Sequence, residues 1–258
     1  MPNYPLFSVM GIEIEYMIVD QHSLDIQPKC DQLIQQHGGI IQNALALTPA
    51  IALSNELVLH VLELKNDPPT SPGLQMIDDF QTALLSLQPL LQANHLCLLP
   101  TASHPWMNPK RETCRWPHDN HAIYQTFDRI FNCHGHGWSN LQSMHINLPF
   151  ANDHEFSLLH NAIRLLLPLL PALAASSPLH EGRPTGFLDT RLCYYNQNQA
   201  KIPSISGYII PPFITSEDDY RHTVLAPMMD DIKPFDPQGI LQHDWLNSRG
   251  AIPKFDCQ

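Results

Sequence analysis

Glu13 and Glu15 stand two residues apart in Gly11-Ile12-Glu13-Ile14-Glu15-Tyr16-Met17-Ile18-Val19-Asp20. In an extended strand, residues i and i+2 point to one face. Gly11, Glu13, Glu15 and Met17 then share a face, and Ile12, Ile14, Tyr16 and Ile18 share the other. The isoleucine face suits a core. Carboxylates side by side repel unless a cation lies between them. Two further segments carry groups of the same kind. From Glu56 to Lys65, Leu57, Leu59, Val61 and Glu63 alternate with Val58, His60, Leu62 and Leu64. From Asn140 to Leu148, Ser143, His145 and Asn147 alternate with Met144, Ile146 and Leu148. The candidate metal ligands are therefore Glu13, Glu15, Glu56, Glu63 and His145. Carboxylates with a single imidazole suit Mg²⁺ or Mn²⁺ better than Zn²⁺. Glu56 and Glu63 differ by an odd number, so one unbroken strand would place them on opposite faces. Glu56 must act from a preceding loop or across a bulge. The plainer alternative is a half-exposed edge strand with solvated acids and a histidine held by structural partners.

Other constellations are weaker. Cys133-His134-Gly135-His136 resembles half a zinc site, but it has no partner cluster and would crowd its ligands into one turn. There is no nucleophile elbow, no Walker A motif and no GxGxxG. Cations in loops that suit a phosphate or carboxylate are Lys110, Arg111, Arg115, Arg183, Arg191, Lys201 and Arg249. The densest such stretch is Asp189-Thr190-Arg191-Leu192-Cys193-Tyr194-Tyr195-Asn196. Its alternative reading is a surface loop in which Arg191 pairs with Asp189.

The elements that must position these groups follow from pattern. Strands are expected over 9–20, 56–65, 96–99 and 140–148. A short helix is expected over 30–36, ended by Gly38-Gly39. A longer one opens with Ser71 as N-cap and Pro72 in the first turn, and carries Leu74, Ile77, Leu84 and Leu87 to a bend at Pro89. A helix from Asp119 buries Ile123, Phe127 and Ile130. The apolar stretch Asp153–Ala175 reads as a helix central to the core, kinked at its prolines. Strands come before and between helices without βαβ regularity, which favours an α+β fold with a mostly antiparallel sheet.

Composition narrows the function. The chain of 258 residues has 43% hydrophobic and 15% charged residues, so it is globular. Its net charge of −11 argues against nucleic acid and anionic membranes as main partners, though not against ATP. The start, Met1-Pro2-Asn3-Tyr4-Pro5, has no signal-peptide pattern. The longest apolar run, Leu165–Ala175, is too short to span a bilayer. The 6 cysteines form no framework pattern and read as reduced thiols, so a cytoplasmic protein is expected.

Five segments resemble the glutamate–cysteine ligase family and related carboxylate–amine ligases. They are GIEIEYMIVD (11–20), NELVLHVLELKNDPP (55–69), GHGWSNLQSMHINLPF (135–150), DTRLCYYNQNQAKIPSISGYIIP (189–211) and WLNSRGAIPKFD (245–256), in family order along nearly the whole chain. The resemblance implies a glutamine-synthetase-like fold, an antiparallel saddle-shaped sheet flanked by helices, in a single catalytic domain over 1–258. It implies ATP and Mg²⁺ (or Mn²⁺) as cofactors, and small-molecule substrates: glutamate, an amine such as cysteine, and ATP. In that reading Glu13, Glu15, Glu56, Glu63 and His145 are metal ligands. Arg191 clamps the acid or the transferring phosphoryl group, and Tyr194 and Asn196 line the acid pocket. The pattern departs at the end. Family members continue past Phe255-Asp256 into a strand with an acid-x-arginine motif, whereas this chain stops at Gln258. Cys257-Gln258 replaces the usual lead-in, and Lys254 and Asp244 stand where relatives carry Arg and Glu. The expectation is a C-terminally incomplete saddle lacking its final strand. The alternatives are an inactive remnant that binds metal or acid only, and a metal-dependent hydrolase on another fold. The amine and the oligomeric state are not legible in the sequence.

Overall fold

A computed structural model describes residues 4–206 and 210–243. The expectations for 244–258, including the WLNSRGAIPKFD match, Asp244, Arg249, Lys254 and Cys257, lie outside the described residues. The strands are β1 (Gly11–Asp20), β2 (Ala44–Ala46), β3 (Ile51–Asn55), β4 (Val61–Asn66), β5 (Leu96–Leu99) and β6 (Met144–Asn147), with a small hairpin β7 (Leu179–His180) and β8 (Arg183–Pro184). The first six form one antiparallel sheet in the order β2-β3-β4-β1-β5, with β6 also pairing β1. The expected architecture, an antiparallel sheet flanked by helices, is the one observed.

The alternation of β1 explains the main core. Ile12, Tyr16 and Ile18 point to one face, beside Leu53 of β3 and Leu62 and Leu64 of β4. Helices α1 (Cys30–Gly38) and α2 (Leu74–Ala93) cover that face with Cys30, Leu33 and Ile34, and with Met76, Phe80, Ala83, Leu87 and Leu91. The α2 spacing of four and three keeps its apolar side chains on one stripe. Ile34 is fully buried. Ile34→Val should cost about 1 kcal/mol, the cost of one deleted methyl group, read as a lower urea midpoint at unchanged m.

Several expectations are corrected. The buried stripe of α2 does not include Leu74 and Ile77, which are exposed. Nor does Ser71 cap the helix: Gly73 precedes it without a side-chain cap. Thr70 is bridged to Met10, which holds this segment extended along the sheet, and Ser71 Oγ donates to the Ser8 carbonyl. The helix runs through Pro89 as one element. The strand expected over 56–65 starts only at Val61. Residues 57–59 instead pair with the segment 114–116, through Leu59 N to Cys114 O and Trp116 N to Leu57 O. The third strand is shorter than expected, 144–147 rather than 140–148.

The largest correction concerns 153–175. It is two helices, α6 (Asp153–Leu166) and α7 (Leu170–Leu173), after the short helices α3 (Pro109–Glu112), α4 (His121–Phe131) and α5 (His136–Ser139). Pro168 and Pro171 offer no backbone N–H, and the helix breaks there. In α6 only Phe156 is buried, in a small cluster with Ile214 and Tyr220. Leu165 is 77% and Leu173 81% exposed, so this segment lies outside the core. Helix α8 spans Arg191–Tyr195.

No helix among the described residues is long and apolar enough to cross a membrane. Cys30, Cys97, Cys114, Cys133 and Cys193 are free thiols.

Candidate metal centre

The face of the sheet opposite the isoleucines carries two rows of side chains. One row runs Ser54 (β3), Glu63 (β4), Glu15 (β1), and is completed by Ser143, whose carbonyl accepts from Glu15 N. The next runs Ala52, Lys65, Glu13 and His145. The register alone therefore sets Glu15 beside Glu63 and Glu13 beside His145. Glu56 enters from the turn after β3, as its odd spacing from Glu63 requires. Ligand atoms of Glu13, Glu63 and His145 lie within 4.8 Å of one another, and so do those of Glu15, Glu56 and Glu63. Glu63 belongs to both groups. All five residues singled out as ligands are thus brought together.

Neighbouring strands hold the carboxylates in place. Ser143 donates twice to Glu15, from N to Oε2 at 2.9 Å and from Oγ to Oε1 at 2.7 Å. Ser54 Oγ donates to Glu63 Oε1 at 2.7 Å, and Lys65 Nζ lies 3.2 Å from the same oxygen. Asn147 Nδ2 donates to Glu13 Oε1 at 3.1 Å, and His145 Nδ1 lies 2.9 Å from Glu13 Oε2. Asn147 crosses directly over Gly11, where an added Cβ would come within 3.2 Å of the asparagine Cβ. A side chain there would make Asn147 give by a few tenths of an ångström.

The electrostatics show a site short of positive charge. Burial, then the charges of Glu15 and Glu63, push the Glu56 carboxyl well above the usual range. Burial also raises Glu15, against the hydrogen bonds from Ser143. The hydrogen bond from His145 lowers Glu13, and the same bond raises His145. Hydrogen-bonding oxygens that outnumber the cations facing them are the donor set hard divalent ions prefer. By that test the residues fit Mg²⁺ or Mn²⁺. Cys133–His136 does not assemble a zinc site: among the described residues the groupings of three or more ligands are the two carboxylate ones, and Cys133 is fully buried.

Arg191 lies on α8 and is tied to the fold. Its Nε donates to Asp189 Oδ1 at 3.0 Å, Nη1 to the Gln142 carbonyl at 3.1 Å and Nη2 to the Ala174 carbonyl at 3.1 Å. The pairing with Asp189, weighed above as the alternative, is present. Its link to the centre runs through Gln142, the residue before Ser143. Tyr194 stacks on His180, with centroids 5.1 Å apart, and leans on His136 at 4.9 Å. Asn196 is exposed, and its backbone N–H closes α8 on the Leu192 carbonyl.

Four residues of the centre were not singled out by sequence as partners of the carboxylates: Ser54, Lys65, Ser143 and Asn147. Ser143 shares the alternation of His145, which was a usable signal. Ser54 sits in a strand buried on both sides and left no periodic trace.

A family model described as Glutamate-cysteine ligase family 2 matches residues 9–252. The chain belongs to this family, one of carboxylate–amine ligases. It is 34% identical over 248 residues to an "Uncharacterized protein" of Archaeoglobus fulgidus, covering 96% of this chain and 66% of that one. It is 26% identical over 267 residues to a protein of Leptothrix cholodnii named "Putative glutamate--cysteine ligase 2", covering 95% and 63%. It is 26% identical over 186 residues to a Nocardioides protein named "Putative glutamate--cysteine ligase 2-1", covering 70% and 46%. The chain spans between 46% and 66% of the length of these relatives.

Proposed function

We propose that this chain carries the catalytic sheet of an ATP-dependent carboxylate–amine ligase acting on glutamate and an amine such as cysteine. The observation that carries the reading is the convergence of Glu13, Glu15, Glu56, Glu63 and His145 on one sheet face, with Glu63 common to both groups. In such a reaction the γ-carboxylate of the acid takes the γ-phosphoryl group of ATP and ADP leaves. The amine nitrogen then attacks the acyl phosphate carbon, an amide forms, and phosphate and a proton leave. Phosphoryl transfer asks mainly for positioning and charge stabilisation. The divalent cations, when bound, supply that stabilisation on the phosphate oxygens. The protein's own share is to hold four carboxylates in register, with Ser54, Ser143 and Asn147 fixing three of them. Lys65 sets one positive charge against Glu63. Arg191 keeps one N–H on each Nη beyond its structural bonds, and with Tyr194 and Asn196 is the proposed holder of the acid.

The test is phosphate release from ATP with Mg²⁺, with glutamate and cysteine each present or omitted. Release that requires both amino acids supports the ligase. Cation binding without release would support the alternative, a chain that binds metal or acid but does not turn over. Release without ATP-dependent amide formation, from a substrate other than ATP, would point to a hydrolase instead.

A further inference from the structure

Ser143 touches both ligand groups. Its Oγ donates to Glu15 Oε1 at 2.7 Å and stands 3.0 Å from His145 Nε2. Its backbone N–H donates to the other Glu15 oxygen at 2.9 Å. A hydroxyl has one proton and two lone pairs. With that proton on Glu15, the oxygen accepts from the Nε2–H of His145. On the far side Nδ1 lies 2.9 Å from Glu13 Oε2, and with Nε2–H held by Ser143 it is the nitrogen whose lone pair would meet a cation. One hydroxyl thus fixes a carboxylate of one group, Glu15, and the imidazole of the other, His145. Glu63 joins the groups from β4; Ser143 joins them from the opposite side of β1.

We propose that Ser143 is a positioning residue that sets the metal preference of the centre. The inference rests on the reading of the five ligands as a cation site. Mg²⁺ demands near-octahedral geometry at short distances and the smaller Mn²⁺ takes octahedral oxygen sites, whereas Ca²⁺ accepts more ligands at longer and more variable distances. A Glu15 clamped through both oxygens, beside an imidazole whose Nε2–H is fixed on Ser143 and whose Nδ1 is left to the cation, favours the smaller and stricter ion. Releasing the hydroxyl loosens both ligands and favours the more tolerant one. The residue meets no cation itself; it acts through Glu15 and His145.

Mn²⁺ binding to this chain, followed by the electron paramagnetic resonance of free Mn²⁺ with Ca²⁺ as competitor, tests this. Ser143→Ala should weaken Mn²⁺ binding by about tenfold, the lower end of the effect of outer partners on metal sites, and should narrow the Mn²⁺-over-Ca²⁺ preference. Ser143→Thr, which keeps the hydroxyl, should restore both. A purely structural role would lower the thermal midpoint and leave the preference between ions unchanged. Ser143→Cys keeps the shape with a weak donor, and serves if the alanine variant does not fold. Absence of Mn²⁺ binding in the unaltered chain would overturn the centre itself, and this inference with it. Binding by the unaltered chain with the same ion preference in Ser143→Ala would overturn the role of Ser143 alone.

Discussion

Glu63→Gln should remove divalent-cation binding from both ligand groups at once. Glu63 is the one residue the groups share, and it is 5% exposed. The amide keeps the shape and can still accept from Ser54 Oγ, so the strand register should survive. What disappears is the charge that both proposed cation positions would use. The expected loss in Mn²⁺ affinity is more than about 100-fold, beyond what removing an outer partner does. Metal-dependent phosphate release should fall to background. Without divalent ions the same variant should not lose stability. It relieves the like-charge pressure on Glu15 and Glu56, although Lys65 gives up its partner. Mn²⁺ titration and thermal melts with and without the metal would check both halves. Full metal binding by the variant would end the assignment.

Acid should destabilise the fold through His60. This side chain is fully buried, and its Nε2–H donates to the Ser139 carbonyl at 2.7 Å. Its Nδ1 is buried without a partner among the described residues, as suits a neutral ring. Burial pushes the imidazole down from 6.5 to about 4. Between those values the unfolded chain takes up a proton that the folded chain refuses. The contribution is therefore fully present above pH 6.5 and is lost as pH falls towards 4. At about 1.4 kcal/mol per unit, the loss is about 3 kcal/mol. Urea midpoints at pH 7.5 and pH 4, for the unaltered chain and for His60→Gln, would isolate it from the carboxylates. Equal pH slopes in the two proteins would contradict the argument. Glu56 works in the opposite direction. Its raised carboxyl favours the fold at low pH, and that support fades as pH rises above the ordinary 4.5.

How much of this was legible in the sequence depended on whether a strand had one wet face. β1 alternates because one side meets the core and the other meets the centre, and β6 keeps the same alternation although its Met144 and Ile146 are exposed, so the ligands of both could be named from spacing. β5 was bounded correctly at 96–99 by its flanking residues. In β3 all five residues are buried, so no period of two is visible and Ser54 was missed. The apolar stretch 153–175 failed for the opposite reason. A run that is apolar all round reads as core, but its prolines divide it and its leucines face outward. The tie of Arg191 to two backbone carbonyls could not be seen at all, because backbone acceptors leave no mark in the sequence. Residues 57–59 formed a partnership with 114–116 that local alternation does not encode.

The far edge of β1 is shared. β6 pairs with Gly11–Ile14 and β5 with Met17–Asp20, and the two do not meet. Between them Glu15 N bonds the Ser143 carbonyl, and Met17 N bonds the side-chain oxygen of Gln142 at 2.8 Å. Gln142 thus splices two ladders that come from distant parts of the chain, its own backbone N–H donating to the Ala102 carbonyl at 2.9 Å. The sheet consequently has a seam directly beside Glu15. The portion bearing His145 and Asn147 pairs with β1 alone, whereas β5 also packs on α2, so the two ends of that edge owe their positions to different partners.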